Sequence, residues 1–372
     1  MAMARIDSAR GKINYRNPTL IGIAASAMLT VLVIIGSRNL QHFDPALFGY
    51  TIASIVALGA IAFRYAIWLQ RPATRAYFWR GLDLFFKRKK LAANTATAAG
   101  TIATNLVQQK FIFKRGFMRW LMHFLIMWGC ILSALITFPL SFGWVHFKLE
   151  GDRGYRAYLF GFPTAVMDGR SILAWVQFHA LDFTAIMVLA GCAIAIHRRL
   201  KDRGAIAYQS FLLDFTPHLL LIAISVSGLM LTASSIWFQG YMYSFISLSH
   251  QALVIMTLFY LPFGKLFHIV QRPASIGVEL YQQRSREMEQ AVCPRCGTMF
   301  AGKLWIDDLK KVVDDLGFDY RMEDGRVLQD YCPRCKRIMR GIAYANLPST
   351  REPVFKGNRS DELPAAEKTR TR

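Results

Sequence analysis

SHQALVIMTLFYLPFGKLFHI, residues 249–269, is a long apolar run with a single lysine and a histidine near each end, His250 and His268. A helix rises 1.5 Å per residue, so about 20 apolar residues cross the ~30 Å hydrocarbon layer of a bilayer. The run reads as a membrane span. Its two imidazoles are 18 residues apart, about five turns of one continuous helix, which puts them on one face and about 27 Å apart along the axis. They cannot grip one metal ion together. An unpaired polar group in hydrocarbon costs several kcal/mol, so each needs a partner at its own depth on another helix.

Working outward, six segments have the length and composition of spans, near 19–36, 47–69, 118–140, 173–196, 211–233 and 246–268. The chain has 372 residues, 53% of them hydrophobic, and a formal charge of +21. Nucleic acid is the usual partner of so basic a chain. Here the bases lie between the apolar blocks, which favours the bilayer and its anionic lipids over nucleic acid. The N-terminal arm carries Arg5, Arg10, Lys12 and Arg16, the loop 70–117 is rich in lysine and arginine, and Arg198, Arg199, Lys201 and Arg203 follow the fourth span. The alternate loops are poor in base, so both termini are expected on the cytoplasmic side. No cleavable signal peptide is expected, because the first apolar run lacks a small-residue cleavage site. Within the second loop, residues 76–90 mix aromatics with bases and read as an amphipathic helix on the membrane surface. The expected fold class is an all-α integral membrane bundle of six transmembrane helices, followed by a small α+β domain at 291–345 and a charged, disordered tail from 349 to 372. In that domain KLWIDDLKKVVDDLG (303–317) reads as a helix, and residues 318–331 resemble a hairpin.

The remaining histidines sort by depth. His123, in the third span, lies close to the depth of His268, and His218 in the fifth span lies towards the same side. His179 is expected about two turns into the fourth span, near the depth of His250. His197 sits beside Arg198 and Arg199 at a span end, and His42 and His146 fall in loops. An inner and an outer set of imidazoles suit two haems stacked across a membrane, each held by two axial histidines.

The run H-QALVIMTLFYLPFGKLF-H-IVQRP (250–273) resembles the last helix of the respiratory nitrate reductase gamma subunit, a di-haem membrane cytochrome b. That helix has two ligating histidines at this spacing, an LF…PF motif between them and a proline after the second. GFMRWLMH (116–123) resembles the family's other ligand helix. The likeness covers about 47–275, leaving 1–46 as an added arm and helix. The membrane subunits of heterodisulfide-reductase-like and sulfite-reductase-associated complexes share the architecture. The resemblance implies that His123 and His268 hold a cytoplasm-proximal haem b and that His250 is one ligand of a distal haem. The family's fourth ligand falls at Ser133, which cannot bind haem iron. Either the distal haem is missing or another histidine replaces it, and His179 is the best placed by depth. The resemblance further implies a cytoplasmic (inner) membrane of a prokaryote, quinol or quinone as membrane partner, and a cytoplasmic iron–sulfur or molybdopterin oxidoreductase subunit as soluble partner. Quinol would be oxidised near the outer segment 141–172, where Lys148, Arg153 and Arg156 are candidate contacts.

Six cysteines are present. Cys130 and Cys192 lie singly in apolar blocks, as small buried hydrophobes do. Cys293, Cys296, Cys332 and Cys335 form two C-x-x-C knuckles separated by the 35 residues Gly297 to Tyr331. Four thiolates so spaced make a tetrahedral site, with structural zinc as the leading ion. A rubredoxin-like iron is the rival, because the first knuckle reads C-x-x-C-G; the second ends in Lys336 where a rubredoxin has glycine. The expectation for the whole chain is a membrane-anchoring electron-transfer subunit. A proton-coupled transporter and a haem-free scaffold presenting a zinc ribbon are the alternatives.

Overall fold

The computed structural model describes residues 13–87, 90–201, 204, 210–322 and 325–345. The N-terminal arm before Ile13, Arg203 and the tail from 349 lie outside the described residues. Six helices are long and apolar enough to cross a membrane. They are α1 (Arg16–Gly36), α2 (Phe48–Leu69), α5 (Phe117–Ser141), α7 (Ala180–Lys201), α8 (Phe211–Ile236) and α9 (Tyr243–Phe263). Between them lie α3 (Pro72–Phe85), α4 (Leu91–Thr101) and α6 (Ile172–Phe178), with α10 (Ser275–Glu287), α11 (Lys303–Asp315) and α12 (Pro333–Ala345) after them.

The long helices pack in sequence around an arc: α5 on α7, α7 on α8, α8 on α9, α9 on α2, and α2 on α1. The α5–α7 seam closes on small residues. A Cβ at Gly129 would lie 2.6 Å from Val188 Cγ2, and one at Gly191 would lie 2.7 Å from Ile126 Cγ1; only glycine allows the two backbones so near. The arc comes back on itself at one end, where Thr51 Oγ1 donates to the Ser141 carbonyl at 2.6 Å. Among the described residues α5 and α9 share no extensive packing seam. These two helices bury little: Gly129 and Ser141 on α5, Pro262 alone on α9.

The two ends of the bundle differ in kind. At one end residues 145–168 form an antiparallel sheet in the order β1 (Val145–Glu150), β2 (Gly154–Leu159), β3 (Phe162–Asp168). A two-residue turn joins β2 to β3, with Phe160 at φ 50° and Gly161 at φ 77°; two positive φ values match the strands' right-handed twist. The sequence offered this segment only as a loop. The sheet carries His146 between two rings. His42 stacks on one side at 4.3 Å and Tyr158 on the other at 4.8 Å. Of the candidate contacts expected in this segment, Arg156 pairs with Glu150, and Lys148 Nζ lies 5.3 Å from the Tyr158 ring centre.

At the other end the loop helices and the C-terminal module form one packed body. The expected surface helix is α3, but Gly81 and Leu84 are buried against protein, with Tyr77 packed beside them, while Trp79 and Phe86 stay exposed. A Cβ at Gly81 would meet the Gly277 backbone of α10 at 2.9 Å. Arg80 forks onto Asp308 of α11 at 3.0 and 2.7 Å, and Tyr281 donates to the same carboxylate at 3.0 Å. Arg75 pairs with Asp315, and Trp305 donates to the Tyr77 hydroxyl. Asn94, 1% exposed, donates to the carbonyls of Leu84 and Phe85 and accepts from Arg284. A hairpin-like contact joins Arg321 to Val327, and α11 ends where Gly317 takes φ 75°.

Two expected helices are interrupted. The composition of the fourth span predicts one helix from 173 to 196, with His179 two turns inside it. Instead α6 stops at Phe178, His179 is its C-cap residue, and α7 starts at Ala180. The apolar run of the last span predicts a helix continuous through His268. Instead α9 ends at Phe263, Gly264 is extended (φ −89°, ψ −170°), and a 3-10 turn, Lys265–Phe267, leads to the single-turn helix His268–Gln271. Pro262 has no N–H to continue the ladder, and the glycine accepts the break. Arg64 of α2 stabilises it: its Nη1 donates to the freed Pro262 carbonyl, and its guanidinium lies 4.4 Å over the Phe267 ring. The 27 Å spacing on one helix face therefore does not apply to His250 and His268.

Candidate functional site

His123 on α5, His218 on α8 and His268 lie at the module end of the bundle. His250 on α9 and His179 lie at the sheet end. All five have Nδ1 engaged and Nε2 without a hydrogen-bond partner among the described residues. A metal-binding imidazole has this form, with one nitrogen oriented by a second partner and the other carrying a free lone pair.

The partners differ in how much they say. His179 and His218 bond the carbonyl four residues back, those of Trp175 and Asp214, at 2.9 Å each; any histidine in a helical turn does this. His123 and His250 are held by side chains from elsewhere in the chain. Gln109, 1% exposed, turns its Nε2 to Met127 Sδ at 2.9 Å and its Oε1 to His123 Nδ1 at 2.8 Å. With the amide so oriented, the imidazole proton sits on Nδ1. Ser227 of α8 gives its own proton to the carbonyls of Ala223 and Ile224, so its oxygen accepts from His250 Nδ1 at 2.8 Å. His268 Nδ1 donates to the Lys265 carbonyl at 2.6 Å. In each case the lone pair is left on Nε2.

His268 and Arg272 stand within electrostatic reach of His123. The structure thus places His123 and His268 at one end of the bundle, on two separate helical elements and within electrostatic reach of each other. It gives no such link between His250 and His179. His179 stacks on Trp175 at 4.9 Å at the α6–α7 joint, and His250 lies over Gly228 of α8. Ser133 donates to Thr184 Oγ1 of α7 at 2.7 Å, inside the closed α5–α7 seam. His197 is exposed at the end of α7. Gln109, Ser227 and Arg64 belong to no motif in the sequence. Arg64 alone carried a signal, as a charge within an apolar helix.

The cysteine site is compact. The sulfurs of Cys293, Cys296, Cys332 and Cys335 all lie within 4.8 Å of one another, and Cys296 and Cys332 are 3.7 Å apart. A tetrahedral ion with metal–sulfur bonds of about 2.3 Å needs sulfurs ~3.8 Å apart, so the four fit a zinc-sized ion. The first knuckle is a tight turn in which Gly297 takes φ 70° and donates to the Cys293 carbonyl. Cys332 immediately precedes α12, and its sulfur accepts from the Cys335 N–H at 3.4 Å. Burial would lift the Cys293 thiol, but backbone N–H groups of Cys332, Cys296 and Arg295 outweigh it and bring the thiol down to about 6. Burial and the neighbouring sulfurs push Cys335 up to about 12. The core around the cluster is small: Tyr331, with Phe300, Met322 and Met339 beside it. Four close cysteines in so small a core can hold a metal ion, which would supply the missing cohesion. Comparison with known proteins gives no match to any family, curated protein or solved structure.

Proposed function

We propose that this chain is a membrane cytochrome b subunit that passes electrons between quinol in the bilayer and a cytoplasmic iron–sulfur or molybdopterin partner. The reading is supported by one observation: His123 and His268, on separate helical elements, stand within electrostatic reach of each other, each with Nδ1 bonded and no hydrogen bond at Nε2 among the described residues. These two residues would hold the module-end haem b, and Gln109 and the Lys265 carbonyl would fix their tautomers. A haem held by two histidines has no open coordination position, so it carries electrons and leaves oxygen alone. His250 and His179 are the residues available for a second haem. The resemblance of residues 250–273 to the gamma-subunit helix supports the same assignment. Zinc in the four-cysteine site would fold the C-terminal module, which would receive the soluble partner; iron is the alternative ion.

The test is a dithionite-reduced minus oxidised spectrum of the purified full-length protein, with haem counted per chain. A b-type α band and at least one haem per chain are expected. A colourless protein overturns the reading. It would favour a haem-free membrane scaffold, which the close docking of the cysteine module on α3 would suit. A count of one leaves His123 and His268 as the ligands, and a count of two brings in His250 and His179.

A further inference from the structure

We infer that Asp214 is the positioning residue for His268; this rests on the haem reading above. His268 is exposed and sits on a single-turn helix between two 3-10 turns, so its own element gives it little rigidity. What fixes the ring is the Lys265 carbonyl, 2.6 Å from Nδ1. What fixes Lys265 is Asp214. The carboxylate accepts from Lys265 Nζ at 2.5 Å and from Arg199 Nη1, at the end of α7, at 3.1 Å. Its other oxygen accepts from the Ser210 N–H at 2.9 Å. One acid in the first turn of α8 therefore ties the end of α7 to the turn that follows α9.

The carboxylate is well placed for this. Its side chain is 13% exposed, against 50% for Lys265 and 28% for Arg199. Charge-assisted bonds to a shielded carboxylate are stronger than exposed pairs. The carbonyl of Asp214 also accepts from His218 Nδ1 at 2.9 Å, an ordinary helical bond that does not depend on the carboxylate. Removing the carboxylate leaves Arg199 and Lys265 facing each other unneutralised and releases the turn. Arg64 still holds its other side, through the Pro262 carbonyl and the Phe267 ring. The turn then survives as a fold element while the Nε2 direction of His268 is lost.

The experiment uses full-length protein in native membranes, with Asp214→Ala, Lys265→Met and the charge swap Asp214→Lys/Lys265→Asp. The readouts are haem per chain, ferric spin state by electron paramagnetic resonance, and midpoint potential. The parent is expected to be low-spin. Both single variants should lose that signal, through conversion to high-spin or loss of the module-end haem, and the swap should restore it. A destabilised bundle would lower the amount of protein without changing the spin state of what remains. If Asp214→Ala does not accumulate, Lys265→Met carries the test, because it cuts the same link and leaves Asp214 paired with Arg199. A haem-bearing parent whose single variants keep its spin state and potential overturns this inference alone. A parent without haem overturns the functional reading beneath it.

Discussion

The cysteine module and the histidine bundle are both candidate ligand sets, built in opposite ways. The four cysteines come as two short knuckles, each closed by its own turn, and the fold has only to bring two pieces together. The bundle histidines come one per helical element. Two of them depend on a side chain from another segment to set the tautomer, Gln109 for His123 and Ser227 for His250, while His179, His218 and His268 bond a carbonyl three or four residues back. A local site survives changes elsewhere and fails when one ligand is lost. A distributed site has many supports, and each is a place where it can be loosened.

The largest effect is expected in the local site. Structural zinc contributes roughly 10–16 kcal/mol in small zinc modules. Cys332→Ser should therefore reduce bound metal from one ion per chain to none and open residues 290–345 to limited proteolysis. If the chain holds haem as proposed, its spectrum should persist, since His123 with Gln109, and His268 with the Lys265 carbonyl, take their partners from outside the knuckles. Metal analysis and spectroscopy on the same preparation check both halves. A simultaneous loss of haem would show that the two regions are one cooperative unit, which breaks the comparison.

The next effects lie where the module meets α3. Arg80 and Asp308 form a two-pronged pair with side chains 32% and 12% exposed. Arg80→Ala strands a shielded carboxylate and the Tyr281 hydroxyl that shares it, at a cost of about 1–3 kcal/mol. Arg75 and Asp315 are about half exposed, and Arg75→Ala should cost roughly 0–1 kcal/mol. Thermal release of the module, followed by proteolysis, should rank them in that order. Equal effects would mean that the docking is set by the apolar contact of Gly81 and Leu84 instead.

The smallest effect sharpens the contrast at the sheet end. Both ring nitrogens of His146 are buried without a hydrogen-bond partner among the described residues, and burial, then His42 and Lys148, hold its pKa below the ordinary value. A base with a lowered pKa disfavours the folded state only when protonated. The sheet should thus be unaffected at neutral pH and weaken as pH falls below about 6.5, the unfolded-state value. His146→Phe should flatten that acid slope in melting curves from pH 7 to 5. A slope unchanged by the substitution removes His146 from the account.

Much of the architecture was legible because hydrocarbon imposes length and composition on whole segments, so six apolar blocks announced six helices. The cysteine site was legible because its spacing is local. The breaks at Gly264 and His179 were not. Proline and glycine occur inside membrane helices without ending them, and here the deciding partner of Pro262 is Arg64, nearly two hundred residues earlier. The sheet at 145–168 carried a signal in its alternation and in the turn at Gly161, but it was outweighed by the reading of 141–172 as a connecting loop. Gln109 and Asp214 were invisible for the general reason that a buried polar residue shows its purpose only once its partner is in place.

The central claim is that two imidazoles from separate helices hold iron porphyrin at the module end. The most direct measurement is the reduced-minus-oxidised spectrum and haem content of His268→Ala beside the parent. A parent with a b-type band and a variant lacking the module-end haem is the predicted result. A variant with the parent's haem content and spectrum, or a parent with neither, contradicts it.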